Sequence, residues 1–394
     1  MISARFRHAY CLIALMIVEV TAAAEDWLAI VRDRDTSGAP LRLAEIYRRS
    51  RPTVAEIIFS ADCEFACAHC IYAPTFAVRE SGVTGVQWEG IARRLIEDQG
   101  VDTFVYSGRA VTNSGARFLA WLRETFPALR IGLIDNGISM RQHAELLLRA
   151  RPDWIDLSFD GLAVDHDRQR GRPGAFQDGL IGAQWVLDSG VTKIGSISTC
   201  LTTLNRGSLL PMIRELRLLG YNNFFVIPLV LGDGVRPNRR HMLDGSELAS
   251  VLRELRDLVS DVGDVWVELN LYMPEYLIGL LDKGGAELAG TFPATDSHLR
   301  STVISADRSH LSVGYYPISL TGTRELVING DGDLLVPRAI SKEVLGDSEM
   351  FGNLLRDDPV EAVRALPNGA KFAFYAREIQ RELEVLSEIH HGLG

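Results

Sequence analysis

The sequence predicts an α/β fold organised around a parallel sheet. Three observations predict it. Strand and helix signals alternate six times between residues 53 and 258, Gly and polar residues gather directly after the strands, and the alternation stops near residue 260. Six strand–helix units in a row require helical crossovers, and therefore parallel strands. An open barrel and a doubly wound sheet fit this string equally well. In both, ligands gather at the C-terminal strand ends.

The elements follow in order. Thr53–Ser60 reads as a strand, rich in β-branched and aromatic residues. Thr84 and Gln87 form a capping box, opening a helix with Trp88, Ile91, Ala92, Leu95 and Ile96 on one stripe. Strands then alternate with helices: Asp102–Tyr106 with Ala116–Glu124, Arg130–Ile134 with Met140–Arg149, and Trp154–Phe159 with Phe176–Leu187. Lys193–Thr202 is followed by Leu209–Leu219, and Asn223–Leu231 by Glu247–Leu258. Beyond them Val265–Leu271 is a strand and Glu325–Val336 a hairpin turning at Asn329–Asp333. A last helix carries Phe372, Ala376, Ile379, Leu383 and Leu386 at helical spacing. At the other end, residues 1–24 imitate a secretory signal. Arg5 and Arg7 precede the apolar Tyr10–Val18, and Ala22-Ala23-Ala24 resembles a cleavage site, but Glu19 interrupts the pattern. The alternative is a docking helix with Cys11 as an apolar filler.

Composition excludes several classes. Of 394 residues 47% are apolar and 23% charged, which is a globular balance. The formal charge of -10 speaks against a broadly basic nucleic-acid binder, and no apolar run reaches the ~20 residues a membrane span needs. Neither GxGxxG after the first strand nor GxxxxGK[ST] occurs, so both common phosphate-cradling loops are missing.

Three of the five cysteines fall in one octapeptide, Cys63-Glu-Phe-Ala-Cys67-Ala-His-Cys70, just beyond the first strand. That is not a disulfide scaffold. Three thiolates in a tight loop want a soft metal or an iron–sulfur cluster. The competing readings are a structural Cys3His zinc site using His69, or three unrelated buried cysteines. A four-ligand zinc site strains here, because His69 adjoins Cys70.

This CxxxCxxC motif at the head of a βα series resembles the radical S-adenosylmethionine (SAM) superfamily. The resemblance implies a [4Fe-4S] cluster on Cys63, Cys67 and Cys70, with SAM chelated at its open iron. One electron cleaves SAM, and the resulting 5′-deoxyadenosyl radical abstracts a hydrogen atom from the substrate. It also implies a partial (β/α)6 TIM-like barrel over residues 51–262, behind an N-terminal helical extension at 1–50. The segment from Trp154 to Asn205 is similar to the subfamily of anaerobic sulfatase maturases and peptide-modifying enzymes. The matches are Ser158, Asp160, Gly161, His166, Asp167, an Arg among positions 168, 170 and 172, Phe176 and Asn205. That family uses this region for SAM's ribose and carboxylate. Ser107, Gly108, Ser158, Asp160, Arg170 and Asn205 are thereby the expected SAM-lining residues. An alternative role for His166-Asp167 is a solvated capping loop.

Residues 326–340 and the 351–354 segment FGNL resemble the SPASM extension, so a small α+β domain is expected over 263–394. No cysteine follows Cys200 and Arg338 stands near a usual ligand position, so the auxiliary clusters are absent from the expectation. A second departure is Tyr106-Ser107-Gly108-Arg109, where the superfamily commonly has Gly-Gly-Glu for SAM's amino group. Arginine accepts no hydrogen bond. Backbone carbonyls, Asp135 or Asp160 would then hold the amino group, or Arg109 faces a substrate carboxylate or phosphate.

Cys200 lies on the small polar set Ser196, Ser198, Cys200 and Thr202, opposite Ile197 and Leu201. It is a candidate hydrogen-atom donor, against the alternative of a small buried side chain. The other histidines have no partner spacing. The implied activity is tailoring of a small-molecule natural product or a peptide, by epimerisation, dehydration, decarboxylation or bond formation. A reductant such as flavodoxin or ferredoxin is implied, with no nucleic-acid or membrane partner. An oxygen-sensitive cluster built inside the cell implies a cytoplasmic location. The competing function is a non-catalytic iron–sulfur or metal-binding regulator on a decayed radical SAM scaffold, motivated by Arg109 and the lost cysteines.

Overall fold

Alternate residues of the first strand face opposite environments, and this sets the architecture. In β1 (Val54–Ile58), Ala55 and Ile57 are buried under helices while Glu56 points to the other face. The same division continues through β2 (Thr103–Ser107), β3 (Arg130–Asp135), β4 (Trp154–Ser158), β5 (Ile194–Leu201), β6 (Asn223–Pro228) and β7 (Val265–Leu271). The structure is a computed structural model, and it describes residues 22–33, 38–59, 63–70, 83–108, 110–231, 239–284, 298–306, 308–335, 352–365 and 379–389.

Crossover helices cover the outer face: α3 (Gly85–Arg94), α4 (Asn113–Thr125), α5 (Ala144–Ala150), α6 (Ala163–Arg170), α7 (Ala175–Ser189), α8 (Leu209–Leu219) and α9 (Gly245–Val262). The Thr84–Gln87 capping box that opens α3 is present, with both reciprocal hydrogen bonds made. Phe59, Trp88, Tyr106 and Phe118 interlock between sheet and helices, with Phe59 and Trp88 centroids 5.3 Å apart.

All described strands join one sheet in the order β11-β10-β1-β2-β3-β4-β5-β6-β7-β9-β8. Here β8 is Leu299–Ala306, β9 Ser309–Tyr315, β10 Glu325–Asn329 and β11 Leu334–Leu335. The six expected strands run consecutively and parallel, as the alternation predicts. The chain beyond residue 262 extends both edges of that sheet: β7 and β9 continue it parallel beyond β6, and β10 pairs parallel with β1. The expected hairpin is β10–β11, and the segment from Gly352 to Leu354 bonds to its turn, with Leu334 N–H to Gly352 O at 2.9 Å. Asn353 donates from its amide to Asp333 Oδ1 at 2.8 Å and to Asp331 O at 2.9 Å.

Ala22-Ala23-Ala24 opens a helix, α1 (Ala22–Val31), whose Trp27 is buried and donates to Ser319 Oγ at 2.9 Å. α2 (Ala39–Arg49) follows it, and a helix over 379–389 buries Ile379, Leu383 and Leu386 as their spacing predicts. Residues 1–21, Arg109, Arg338, Phe372 and Ala376 lie outside the described residues. Among the described residues, no helix is long and apolar enough to cross a membrane.

Candidate functional site

Because β1 to β7, β9 and β10 are parallel, their C-terminal ends share one edge of the sheet. The cysteine loop leaves β1 at that edge. Cys63 is exposed, Cys67 buried and Cys70 half-buried. The loop is docked on the C-terminal turn of α6. Ala66 N–H donates to Arg170 O at 3.2 Å and Ala68 N–H to Gln169 O at 2.9 Å. Helix ends leave carbonyls without intrahelical partners, and here the loop amides satisfy two of them. Gly171 closes the helix at φ +64, and a Cβ there would stand 2.7 Å from Ala66 O. Phe65 packs with Cys67 and Ala175, and the Arg172 guanidinium lies 5.4 Å above its ring.

The donor set fits an iron–sulfur cluster. Three thiols are presented by one loop at three different depths, and thiolates of a four-iron cluster each bind a separate iron. Among the described residues no three His, Cys, Asp or Glu side chains gather as one metal ion requires. His69 faces the buried carboxylate, with Nε2 3.7 Å from Asp160 Oδ2. Burial pushes the Cys67 thiol up to about 11, a trend that nearby Arg170 opposes. Binding of iron would supply the stronger pull that makes it a thiolate.

Asp160, with no exposed surface, organises the neighbourhood. Its Oδ1 accepts from Cys200 N–H at 2.8 Å, and its Oδ2 lies 2.6 Å from Arg170 Nε. Its own N–H donates to His166 Nδ1 at 3.0 Å. Burial alone would raise the Asp160 carboxyl, but Arg170, His69 and His166 bring it below the ordinary value. Burial also lowers His166 to about 4, so the ring is neutral and its Nδ1 can accept. His166 is thus a buried member of this network. Asp167 is the capping residue of the pair, accepting from Gly174 N–H at 2.6 Å and Phe176 N–H at 2.9 Å.

Of the three candidate arginines, Arg168 bonds Asp165 and Leu204 O, and Arg172 pairs with Asp178. Only Arg170 is buried beside Asp160. Asn205 staples the ends of β4 and β5, its amide donating to Asp160 O at 3.2 Å and Cys200 O at 2.8 Å while accepting from Thr202 N–H at 2.8 Å. Ser158 lies at the end of β4 in register with Ser198. Ser107 donates to Glu56 Oε1, and Gly108 follows at φ +98, where a Cβ would collide with Ile58. The Asp135 carboxylate accepts from Val111 N–H and Gly137 N–H, both at 2.6 Å. The thiol of Cys200 is pushed well up by burial and by Asp160.

Gln169 is a site residue that periodicity does not single out. It is fully buried, donating to Cys200 O at 2.6 Å and accepting from Thr202 Oγ1 at 2.7 Å. It therefore joins the helix end under the cysteine loop to the β5 strand that carries Cys200. Its only sequence signal is its place inside the polar run His166–Arg170.

Residues 57–216 match the profile of the radical SAM superfamily. An AdoMet-dependent heme synthase of Methanosarcina barkeri is 27% identical over 182 residues, which is 44% of this chain and 50% of that protein. The chain thus spans half the length of this curated relative. Among solved structures, SuiB of Streptococcus suis bound to S-adenosylmethionine superposes with a TM-score of 0.59 at 14% identity, covering 82% of this chain and 68% of that one. SuiB bound to its precursor peptide SuiA gives 0.60 at 13% identity, covering 82% and 66%. Native anSMEcpe with bound AdoMet gives 0.54 at 16% identity, covering 79% and 80%. These neighbours share the partial barrel. The cysteine loop after β1, the parallel strands that follow it and the profile match together identify residues 57–216 of this chain as a radical SAM domain.

Proposed function

We propose that the protein is a radical SAM enzyme holding one [4Fe-4S] cluster on Cys63, Cys67 and Cys70. The observation that carries this reading is the docking of the three-thiol loop on the end of α6, directly beside the buried Asp160–Arg170 pair. When bound, the cluster and SAM supply one-electron cleavage of SAM and abstraction of a substrate hydrogen atom.

The chain's own residues position and shield that chemistry. Arg170 lies with Nε 2.6 Å from Asp160 Oδ2, leaving its terminal nitrogens for the SAM carboxylate. Asp160 holds that guanidinium in place. Ser107, Gly108 and Ser158 line the strand-end edge for the rest of SAM, and Asn205 fixes the carbonyls of Asp160 and Cys200 beneath it. Cys200 sits on the inner face close to these groups as a hydrogen-atom donor. The substrate is a small molecule or a peptide, tailored at an unactivated C–H bond. A flavodoxin- or ferredoxin-type reductant and a cytoplasmic location belong to the same reading.

The test is anaerobic reconstitution with iron and sulfide, addition of SAM and dithionite, and mass spectrometry of 5′-deoxyadenosine. The Cys63→Ala/Cys67→Ala/Cys70→Ala variant is the control. Cluster-dependent 5′-deoxyadenosine is the expected result. A reconstituted protein that neither cleaves nor binds SAM is instead a non-catalytic scaffold.

A further inference from the structure

The inner face of the sheet carries a second polar array, opposite in sheet order from the cysteine loop and built by the C-terminal third of the chain. The register runs Ser198↔Phe225↔Glu268↔Ser312↔Thr302 across β5, β6, β7, β9 and β8. One step toward the strand ends, Asn270 stands opposite Gly314, and Gly314 opposite Arg300. Tyr272 and Tyr316 follow the ends of β7 and β9, and His298 precedes the antiparallel β8. All three therefore lie at the edge from which the cysteine loop emerges.

The array is internally neutral. Glu268, 2% exposed, accepts from the Arg300 guanidinium and from Tyr316 Oη, the latter at 2.6 Å. Burial lowers His298 and His310 to about 4, so both rings are uncharged at neutral pH. Burial and Glu268 keep the Tyr316 phenol protonated. Aromatic rings frame the edge: His298 stacks on Tyr316 at 4.5 Å and Tyr272 tilts against it at 5.1 Å.

Within this array Asn270 stands out. It is 5% exposed, yet its side-chain oxygen has no hydrogen-bond partner. Buried amides without partners are costly and uncommon. A half turn about χ2 exchanges oxygen and nitrogen without changing shape, so the group can present either. Gly314 lets Tyr316, Glu268 and Asn270 close in around it: a Cβ there would stand 2.9 Å from Tyr316 Cε2, 3.1 Å from Glu268 Oε1 and 3.6 Å from Asn270 Oδ1. Along the row Cys200↔Ile227, Asn270 is two strands from Cys200, or about 10 Å between backbones at ordinary strand spacing.

We propose that this wall receives the substrate, and that Asn270 pairs edge to edge with an uncharged carboxamide of it, beside the Tyr272–Tyr316 ring pair. A neutral wall with one unpaired amide selects a neutral planar group carrying a donor next to an acceptor, because a charged ligand would find no counter-charge. A peptide main chain and a small-molecule amide share this chemistry. The inference rests on the radical SAM reading only for calling the ligand a substrate.

The test uses anaerobic holoenzyme and ligand-observed saturation-transfer NMR with N-methylbenzamide and methyl benzoate, which differ in the amide N–H. Amide binding at least fivefold tighter than ester binding, with the preference lost in Asn270→Leu, is the expected result. Equal binding of the two, or an unchanged preference in the variant, overturns the proposal. Because Asn270 makes no stabilising hydrogen bond, Asn270→Leu should melt no lower than wild type. A lower melting temperature in both Asn270→Leu and Asn270→Ala marks a packing residue and also overturns it. Acetyl-trialanine N-methylamide then separates the sources: tighter binding than N-methylbenzamide points to a peptide, weaker binding to a small-molecule amide. SAM cleavage is assayed on the same samples. Amide preference with neither SAM cleavage nor SAM binding sinks the enzyme reading alone, and cleavage without amide preference sinks this one alone.

Discussion

The backbone N–H of Ala68 lies 2.9 Å from the carbonyl oxygen of Gln169, and that bond ties the cysteine loop to the last turn of α6. Through the Gln169 side chain the same turn is tied to Cys200 on β5. The cysteine loop is therefore positioned by a segment a hundred residues downstream rather than by its own strand alone.

The loop's seat depends on Gly171. Its positive φ costs a side-chain-bearing residue about 1–2 kcal/mol, and a Cβ would also press on Ala66 O. Gly171→Val should lower iron and sulfide per chain severalfold after reconstitution, with the far-UV circular dichroism of the barrel kept. A full cluster in this variant would show that the docking is incidental.

Gln169→Leu removes one of two side-chain donors to Cys200 O and one acceptor of Thr202 Oγ1, which keeps Asn205 and the Leu204 N–H. Each lost hydrogen bond is worth about 0.5–1.5 kcal/mol, so the midpoint of urea unfolding should fall accordingly. The cluster's EPR line shape should change as well, because the helix end under the loop loosens.

Arg170→Lys keeps a cation beside Asp160 but loses the planar fork. SAM affinity, measured by calorimetry on reconstituted protein, should weaken about tenfold, or about 1.4 kcal/mol. Iron content should hold, since the Arg170 carbonyl that receives Ala66 is backbone.

Asp156 gives a pH signature. Burial, offset in part by the Ser198 and Ser196 hydroxyls, raises its carboxyl from 3.8 to about 6. The folded state then holds more protons than the unfolded chain between those values, so stability falls as pH rises through that window and is level above it. The shift corresponds to about 3 kcal/mol. Thermal melts of metal-free protein from pH 4 to 8 should show this decline, and Asp156→Asn should flatten it.

The C-terminal hairpin is held to the 352–354 segment by a side-chain amide. Asn353 bridges Asp331 and Asp333 across 20 residues or more. Asn353→Ala should lower the unfolding free energy by about 1–3 kcal/mol, read from denaturant titration.

Much of the scaffold and the cysteine loop was legible in the residues. Alternating strand and helix signals placed β1 to β6 within a few residues, and Leu209–Leu219 and the separate strand Val265–Leu271 match the observed bounds. The Thr84–Gln87 box and the Asn329–Asp333 turn are local chemistry, so they could be read locally. The three cysteines declared themselves by spacing.

What local pattern could not decide is whatever depends on strands distant in sequence meeting in register. The pairing of β10 with β1 joins residues 54–58 to 325–329, and no periodicity encodes it. Choosing Arg170 over its neighbours required the burial of Asp160, and finding Gln169 and Asn270 required knowing which carbonyls and glycines they face. The sequence by itself determined the α/β alternation and the thiol loop, because side-chain period and ligand spacing are properties of short segments. Only the tertiary structure decided how that loop is seated and what faces it across the barrel, because those contacts are set by packing between segments that the chain keeps far apart.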